Sequence, residues 1–149
     1  MQLRDDKVSI IMVEDDAGHA RLIEKNLRRS GIMNDLIHFD NGRSALDYFS
    51  DLQDNVDVHE KTLVLLDLNL PEVDGFEVLE KLKSDDRTKK IPIIILTTTS
   101  NPQEIDRCYK LGCNIYITKP VDYQNFSEAL GKLGMMLAVV KIPNAVEGE

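Results

Sequence analysis

Five short apolar runs, each followed by a stretch with helical spacing, constrain this chain more than any other feature. The runs are Val8–Val13, Asp35–Phe39, Leu63–Leu66, Ile91–Leu96 and Ile115–Ile117. Most are dominated by Ile, Val and Leu without polar alternation, the pattern of strands buried on both faces. The stretch Ala17–Ser30 carries Ala20, Leu22, Ile23 and Leu27 on one helical stripe and is stopped by Gly31. A second helix follows the Asn41-Gly42 turn with Ala45, Leu46 and Phe49, and a third spans Gly75–Lys83 with Phe76, Val78, Leu79 and Leu82. Pro102–Leu111 has its proline in the first turn and Gly112 at its end, the usual asymmetry of helix termini. The last helix starts at Tyr123 and is expected to run to about Val140. Strands alternating with helices predict an α/β domain: a five-stranded parallel sheet with helices on both faces.

The 149 residues are the length of one such domain, expected here as a lead at 1–7, a folded unit at 8–140 and a tail at 141–149. Hydrophobic residues make up 42% and charged residues 30%, which excludes a disordered or fibrous chain. The net charge of -8, from 26 acids against 18 bases, argues against a nucleic-acid binder, whose phosphate contacts need clustered Lys and Arg. Cys108 and Cys113 are too few for a disulfide framework and have no nearby His to complete a zinc site. No apolar stretch approaches the ~20 residues that cross a bilayer, and no signal peptide is evident, so a cytoplasmic location is expected. The polar segment 51–61 reads as a long loop or a frayed helix end.

Chemistry gathers at the ends of the strands. In an open parallel sheet, ligands bind beyond the carboxyl ends, near the point where strand order reverses. There the first strand contributes Glu14 and Asp15, the third Asp67, the fourth Thr97 and Thr98, and the fifth Thr118 and Lys119. Carboxylates brought together repel one another unless protonated, solvated or bridged by a cation. An oxygen-only set without His or Cys selects a hard ion, here Mg2+. Lys119 supplies positive charge opposite, and Thr97 a hydroxyl donor. A carboxylate so placed can attack a phosphoryl group and form an acyl phosphate, with catalysis coming from positioning and charge neutralisation. His19, His38 and His59 are scattered and receive no chemical role.

The motifs now resemble those of a known family, the receiver domains of two-component response regulators, over about residues 8–139. Val-Glu-Asp-Asp stands at 13–16, Leu-Leu-Asp-Leu-Asn-Leu-Pro at 65–71 and Asp-Gly at 74–75. Ile-Leu-Thr-Thr follows at 95–98 and Ile-Tyr-Ile-Thr-Lys-Pro at 115–120. The resemblance implies the flavodoxin-like, doubly wound receiver fold, with Asp67 as acceptor of a phosphoryl group from a sensor histidine kinase. It implies that Glu14, Asp15, Asp67 and the backbone carbonyl of Asn69 hold Mg2+, and that Thr97 and Lys119 hold phosphoryl oxygens. It also implies a switching role for Thr97 and Tyr116, a cis bond between Lys119 and Pro120, and an influence of Asn69 and Thr99 on how quickly phosphate is lost. Glu14 stands where many members have Asp, a common variation. The implied protein is a phosphoacceptor that assists its own phosphorylation and dephosphorylation rather than an enzyme.

Phosphorylation adds nearly two negative charges. Thr97 would move toward them, Tyr116 would fill the vacated space, and the face made by the fourth helix, fifth strand and fifth helix would change, at a coupling of ~1–3 kcal/mol. No output domain is expected after the last helix, so the signal would leave by protein contact. Met135, Met136, Leu137, Ala138, Val139 and Val140 exceed what the core-facing stripe of Phe126, Leu130, Leu133 and Leu137 needs. The excess predicts a homodimer through that face and the C-terminal extension. In overall layout the chain is similar to the phytochrome-associated response regulators of cyanobacteria, which implies a phytochrome as the partner kinase. Two other readings compete. A magnesium-dependent phosphatase or phosphotransferase with an Asp nucleophile would need a second acid where Asn69 stands. A flavodoxin-like cofactor binder would need phosphate-cradling residues in place of Glu14 and Asp15.

Overall fold

The parallel sheet forms with strand order β2-β1-β3-β4-β5. In the computed structural model, which describes residues 8–29, 31–52 and 61–132, the strands are β1 (Ser9–Val13), β2 (Leu36–Phe39), β3 (Thr62–Leu66), β4 (Ile93–Thr97) and β5 (Ile115–Thr118). The helices are α1 (Ala17–Arg29), α2 (Gly42–Ser50), α3 (Gly75–Ser84), α4 (Pro102–Leu111) and α5 (Tyr123–Lys132). All four pairings are parallel. The expected end of the last helix near residue 140, its apolar surplus from Met135 on, the segment 1–7, the tail 141–149, His59 and most of the 51–61 loop lie outside the described residues.

Alternation along each strand divides the core in two, because successive side chains leave a strand on opposite faces. Ile10, Met12, Leu63, Leu65, Ile94, Leu96 and Ile117 face one layer, packed by Ala20, Ile23 and Leu27 of α1 and by Phe126 and Ala129 of α5. Ile11, Val13, Val64, Leu66, Ile93 and Ile95 face the other, packed by Ala45, Leu46 and Phe49 of α2, Val78, Leu79 and Leu82 of α3, and Cys108 of α4. β4 begins two residues later than the apolar run suggested. Pro92 has no N–H for the ladder, although its carbonyl still accepts from Val64 N at 3.0 Å.

Short polar side chains set the helix ends. Asn41 Oδ1 accepts from Ser44 N (2.7 Å), Asp74 Oδ1 from Glu77 N (3.0 Å) and Asn101 Oδ1 from Gln103 N (2.9 Å), satisfying donors that a helix start leaves free. Gly112 closes α4 in the left-handed region at φ 108°, where a Cβ would be strained. Lys83 ties α3 to the strands: its Nζ donates to the carbonyls of Lys89 (3.1 Å) and Ile91 (2.8 Å) and to Asn114 Oδ1 (3.1 Å). That Asn114 oxygen also accepts from Ile93 N at 2.8 Å, at the start of β4.

Candidate functional site

β1 sits between β2 and β3, so chain direction across the sheet reverses there and a crevice opens beyond the ends of β1 and β3. Backbone bonds extend the ladders past the last strand residues. Glu14 N donates to Phe39 O (2.9 Å), Asp67 N to Val13 O (3.0 Å) and Lys119 N to Thr97 O (2.8 Å). Glu14, Asp67 and Lys119 are therefore rooted at the ends of the sheet rather than in free loops.

Glu14, Asp15 and Asp67 each bring one carboxylate oxygen to within 4.8 Å of the others. Glu14 is 1% exposed and Asp67 6%, whereas Asp15 stands open to solvent. Lys119 reaches over both buried acids, with its ammonium bonded to Glu14 Oε1 and 3.2 Å from Asp67 Oδ2. Asp67 Oδ1 accepts from the Asn69 N–H at 3.2 Å. Burial pushes the Glu14 carboxyl above its ordinary value; its bond to Lys119 opposes the rise, and the Asp67 charge adds to it. One ammonium against three carboxylates leaves the crevice short of positive charge.

The loop after β3 is shaped by close approach. Gly75 N donates to Leu68 O at 3.0 Å, and a Cβ on Gly75 would lie 2.3 Å from Asp67 O and 2.5 Å from Leu68 Cα. Asp74-Gly75 thus does more than make a turn, because only the absence of a side chain at 75 lets α3 abut the Asp67 backbone. Glu72, with φ 62°, turns the same loop through the left-handed region.

Thr97 is fully buried, and among the described residues its hydroxyl oxygen is a buried polar atom without a hydrogen-bond partner. Buried hydroxyls are normally paired, so the orphan at the end of β4 stands out. Thr98 and Thr118 point to solvent and do not join the cluster. Tyr116 is half-buried, its hydroxyl donating to Thr99 O at 2.7 Å. The peptide bond between Lys119 and Pro120 is cis.

Two histidines given no role by sequence reasoning lie at the site. His19 Nδ1 is 3.0 Å from Lys119 Nζ, and His38 Nε2 is 2.7 Å from the Glu14 carbonyl oxygen. His19 falls five positions after Glu14, in the first turn of α1, but its meeting with Lys119 depends on how that helix docks, which no spacing signal records.

Three carboxylates, two of them buried and one of those, Glu14, pushed above its ordinary value, form a hard donor set that fits a divalent cation. A 2-1-3-4-5 parallel sheet with such a crevice, a buried Asp after β3 and a Lys after β5 defines the receiver modules of two-component signalling. The profile of the family described as "Response regulator receiver domain" matches residues 10–131, and the chain belongs to that family. It is 34% identical to the response regulator Rcp1 of Synechocystis over 137 residues, 91% of this chain and 93% of that protein. A solved structure of Rcp1 in its Mn2+-bound form superposes with a TM-score of 0.69 at 33% identity, covering 92% of this chain and 99% of that one. A response regulator receiver domain from Rhodospirillum rubrum is 48% identical, with a TM-score of 0.69 over 90% of this chain and 98% of its own. The phosphorylated cyanobacterial phytochrome response regulator RcpA is 34% identical, with a TM-score of 0.71 over 89% of this chain and 95% of its own.

The chain is thus a two-component response regulator by family, and the small-molecule phosphatase reading falls away. Asn69 offers no second carboxyl, and its N–H serves Asp67. Among the described residues no helix is long and apolar enough to cross a membrane.

Proposed function

We propose that Asp67 is the phosphoacceptor, taking a phosphoryl group from the phosphohistidine of a sensor histidine kinase in a Mg2+-dependent reaction. The observation that carries this reading is the packing of buried Asp67 and Glu14 under one ammonium, that of Lys119, beside the unpartnered hydroxyl of Thr97. An Asp67 carboxylate oxygen bonds to phosphorus as the phosphorus–nitrogen bond of the donor breaks, and the leaving imidazole keeps the electron pair. Lys119 and Thr97 hold the phosphoryl oxygens, the charge-neutralising role that dominates phosphoryl transfer. Mg2+, held by Glu14, Asp15, Asp67 and the main-chain carbonyl of Asn69, would neutralise the remaining charge.

The Thr97 hydroxyl then leaves its apo position and Tyr116 reorients, altering the face formed by α4, β5 and α5. Similarity to the cyanobacterial phytochrome response regulator RcpA supports a phytochrome as the kinase. The same face, with the C-terminal extension, forms a homodimer; Tyr109, 47% exposed on α4, supplies apolar surface there. The chain acts in the cytoplasm as a switch and turns over no small substrate.

Intact mass after incubation with acetyl phosphate tests the reading, with and without Mg2+, in wild type and Asp67→Asn. Addition of one phosphoryl group that requires both Mg2+ and Asp67 is the expected result. Wild type that remains unmodified with Mg2+ present would refute it. Sizing of the same samples separates a dimer from a monomer.

A further inference from the structure

The Lys119 ammonium has three N–H donors and no acceptor, and three acceptors surround it: Glu14 Oε1, Asp67 Oδ2 at 3.2 Å and His19 Nδ1 at 3.0 Å. Because the ammonium can only donate, Nδ1 carries the lone pair and the imidazole proton sits on Nε2, the nitrogen 3.9 Å from Asp16 Oδ2. The ring is anchored where it leaves the chain, since His19 N donates to Asp16 Oδ1 at 3.0 Å in the first turn of α1. It stands 45% exposed at the rim of the crevice. There it also borders a cleft of about 240 Å³ lined by Leu22, Asn26, Thr98, Pro120 and Val121.

The three acceptors have different fates. Glu14 and Asp67 are carboxylates that the proposed chemistry claims for other partners, the cation and the phosphoryl group. His19 is neutral in this bond, comes from a separate element, and is claimed by neither. It is the acceptor that stays with Lys119 while the other two change partners.

We infer that His19, by accepting a hydrogen bond from Lys119 through Nδ1, is a positioning residue that keeps the ammonium aimed at Asp67 during phosphoryl transfer. This inference rests on Asp67 being the phosphoacceptor. His19 touches no reacting atom; it acts through Lys119 by restricting where the long, flexible side chain can place its charge.

Asn is the conservative test, because its Oδ1 stands as many bonds from Cα as Nδ1 does and can accept the same bond. Leu matches the bulk and accepts nothing. A hydrogen bond to a charged group predicts that His19→Leu slows modification of Asp67 by acetyl phosphate at saturating Mg2+ about tenfold, and that His19→Asn stays within about threefold of wild type. The Mg2+ concentration giving half the maximal rate should be the same in all three proteins, and so should the urea midpoint, as the side chain is half open to water. A purely structural role would move those two quantities and would not be rescued by Asn.

A second readout is independent of turnover. In 15N spectra of the imidazoles, His19 Nδ1 should carry the shift of a hydrogen-bond acceptor in wild type and lose it in Lys119→Met. If wild type is modified at Asp67 while His19→Leu reacts at the wild-type rate, or His19→Asn is as slow as His19→Leu, the inference is overturned and the phosphoacceptor reading stands. If wild type is not modified, the phosphoacceptor reading fails and this inference fails with it.

Discussion

The hydroxyl of Tyr116 donates to the carbonyl oxygen of Thr99 at 2.7 Å, fastening the middle of β5 to the loop that follows β4. Because that loop starts directly after Thr97, the bond links the position of the phenol to the segment bearing the unpartnered hydroxyl. Tyr116→Phe should therefore cost about 1 kcal/mol of stability, the usual value of one such bond, as measured by urea unfolding. It should also speed amide exchange at residues 98–101, leaving exchange in β1 and β3 unchanged. Unaltered exchange in that loop would show that the bond does not restrain it.

Alkaline pH should loosen the fold through two buried thiols. Burial pushes Cys108 up to about 11 and, with Cys108 beside it, Cys113 up to about 12, from an ordinary value of 9.0. The unfolded chain releases these protons near pH 9 and the folded chain keeps them. Their contribution is thus whole below pH 9 and is lost as pH rises toward 11 and 12. Each group should lower the unfolding free energy by up to about 1.4 kcal/mol per pH unit in that window. Cys113→Ala should flatten the slope by one such increment, whatever it does to stability at pH 7.

Thr97→Val should leave the unmodified protein as stable as wild type or about 1 kcal/mol more stable, since it replaces an unpaired buried hydroxyl with a methyl of similar shape. The same change should slow phosphoryl incorporation from acetyl phosphate. A large loss of stability in the absence of any ligand would mean that the hydroxyl is already satisfied.

Gly75→Ala should be among the most damaging single-methyl changes available. The added carbon would meet backbone atoms at 2.3 and 2.5 Å, not the end of a movable side chain. Overpacking of this kind costs about 3 kcal/mol, and here the atoms pushed aside belong to Asp67 and Leu68. Thermal melting should show the loss.

Mg2+ should raise the unfolding free energy, by about 2.7 kcal/mol at a hundredfold excess over its dissociation constant. Asp15 is open to solvent, so Asp15→Asn should fold normally and lose most of that gain. An equal gain in both proteins would place the cation elsewhere.

Much of the site is legible in the sequence, for a geometric reason. Residues directly after parallel strands must leave the sheet at the same edge, so Glu14, Asp15, Asp67, Thr97 and Lys119 could be placed together from strand order alone. The five strands were likewise plain from their short apolar runs, with only their ends shifting, as where Pro92 delays β4. Contacts that depend on how a helix is rotated and docked were not readable. His19 on α1 meeting Lys119 after β5, and Lys83 on α3 meeting Asn114 before β5, both depend on packing angles that a spacing pattern leaves open. The unpaired state of the Thr97 hydroxyl belongs to the same class, because an absent bond has no sequence signature.

The bond between Lys119 and Glu14 joins positions 105 apart in the chain, and that between Lys119 and Asp67 spans 52. Contacts this distant form late, after the loops between them have closed. During synthesis, the acids of the first and third strands therefore emerge long before the cation that gathers them. The charge balance of the acidic cluster is therefore set by the last strand of the sheet, and Glu14 and Asp67 face each other without a cation until it docks.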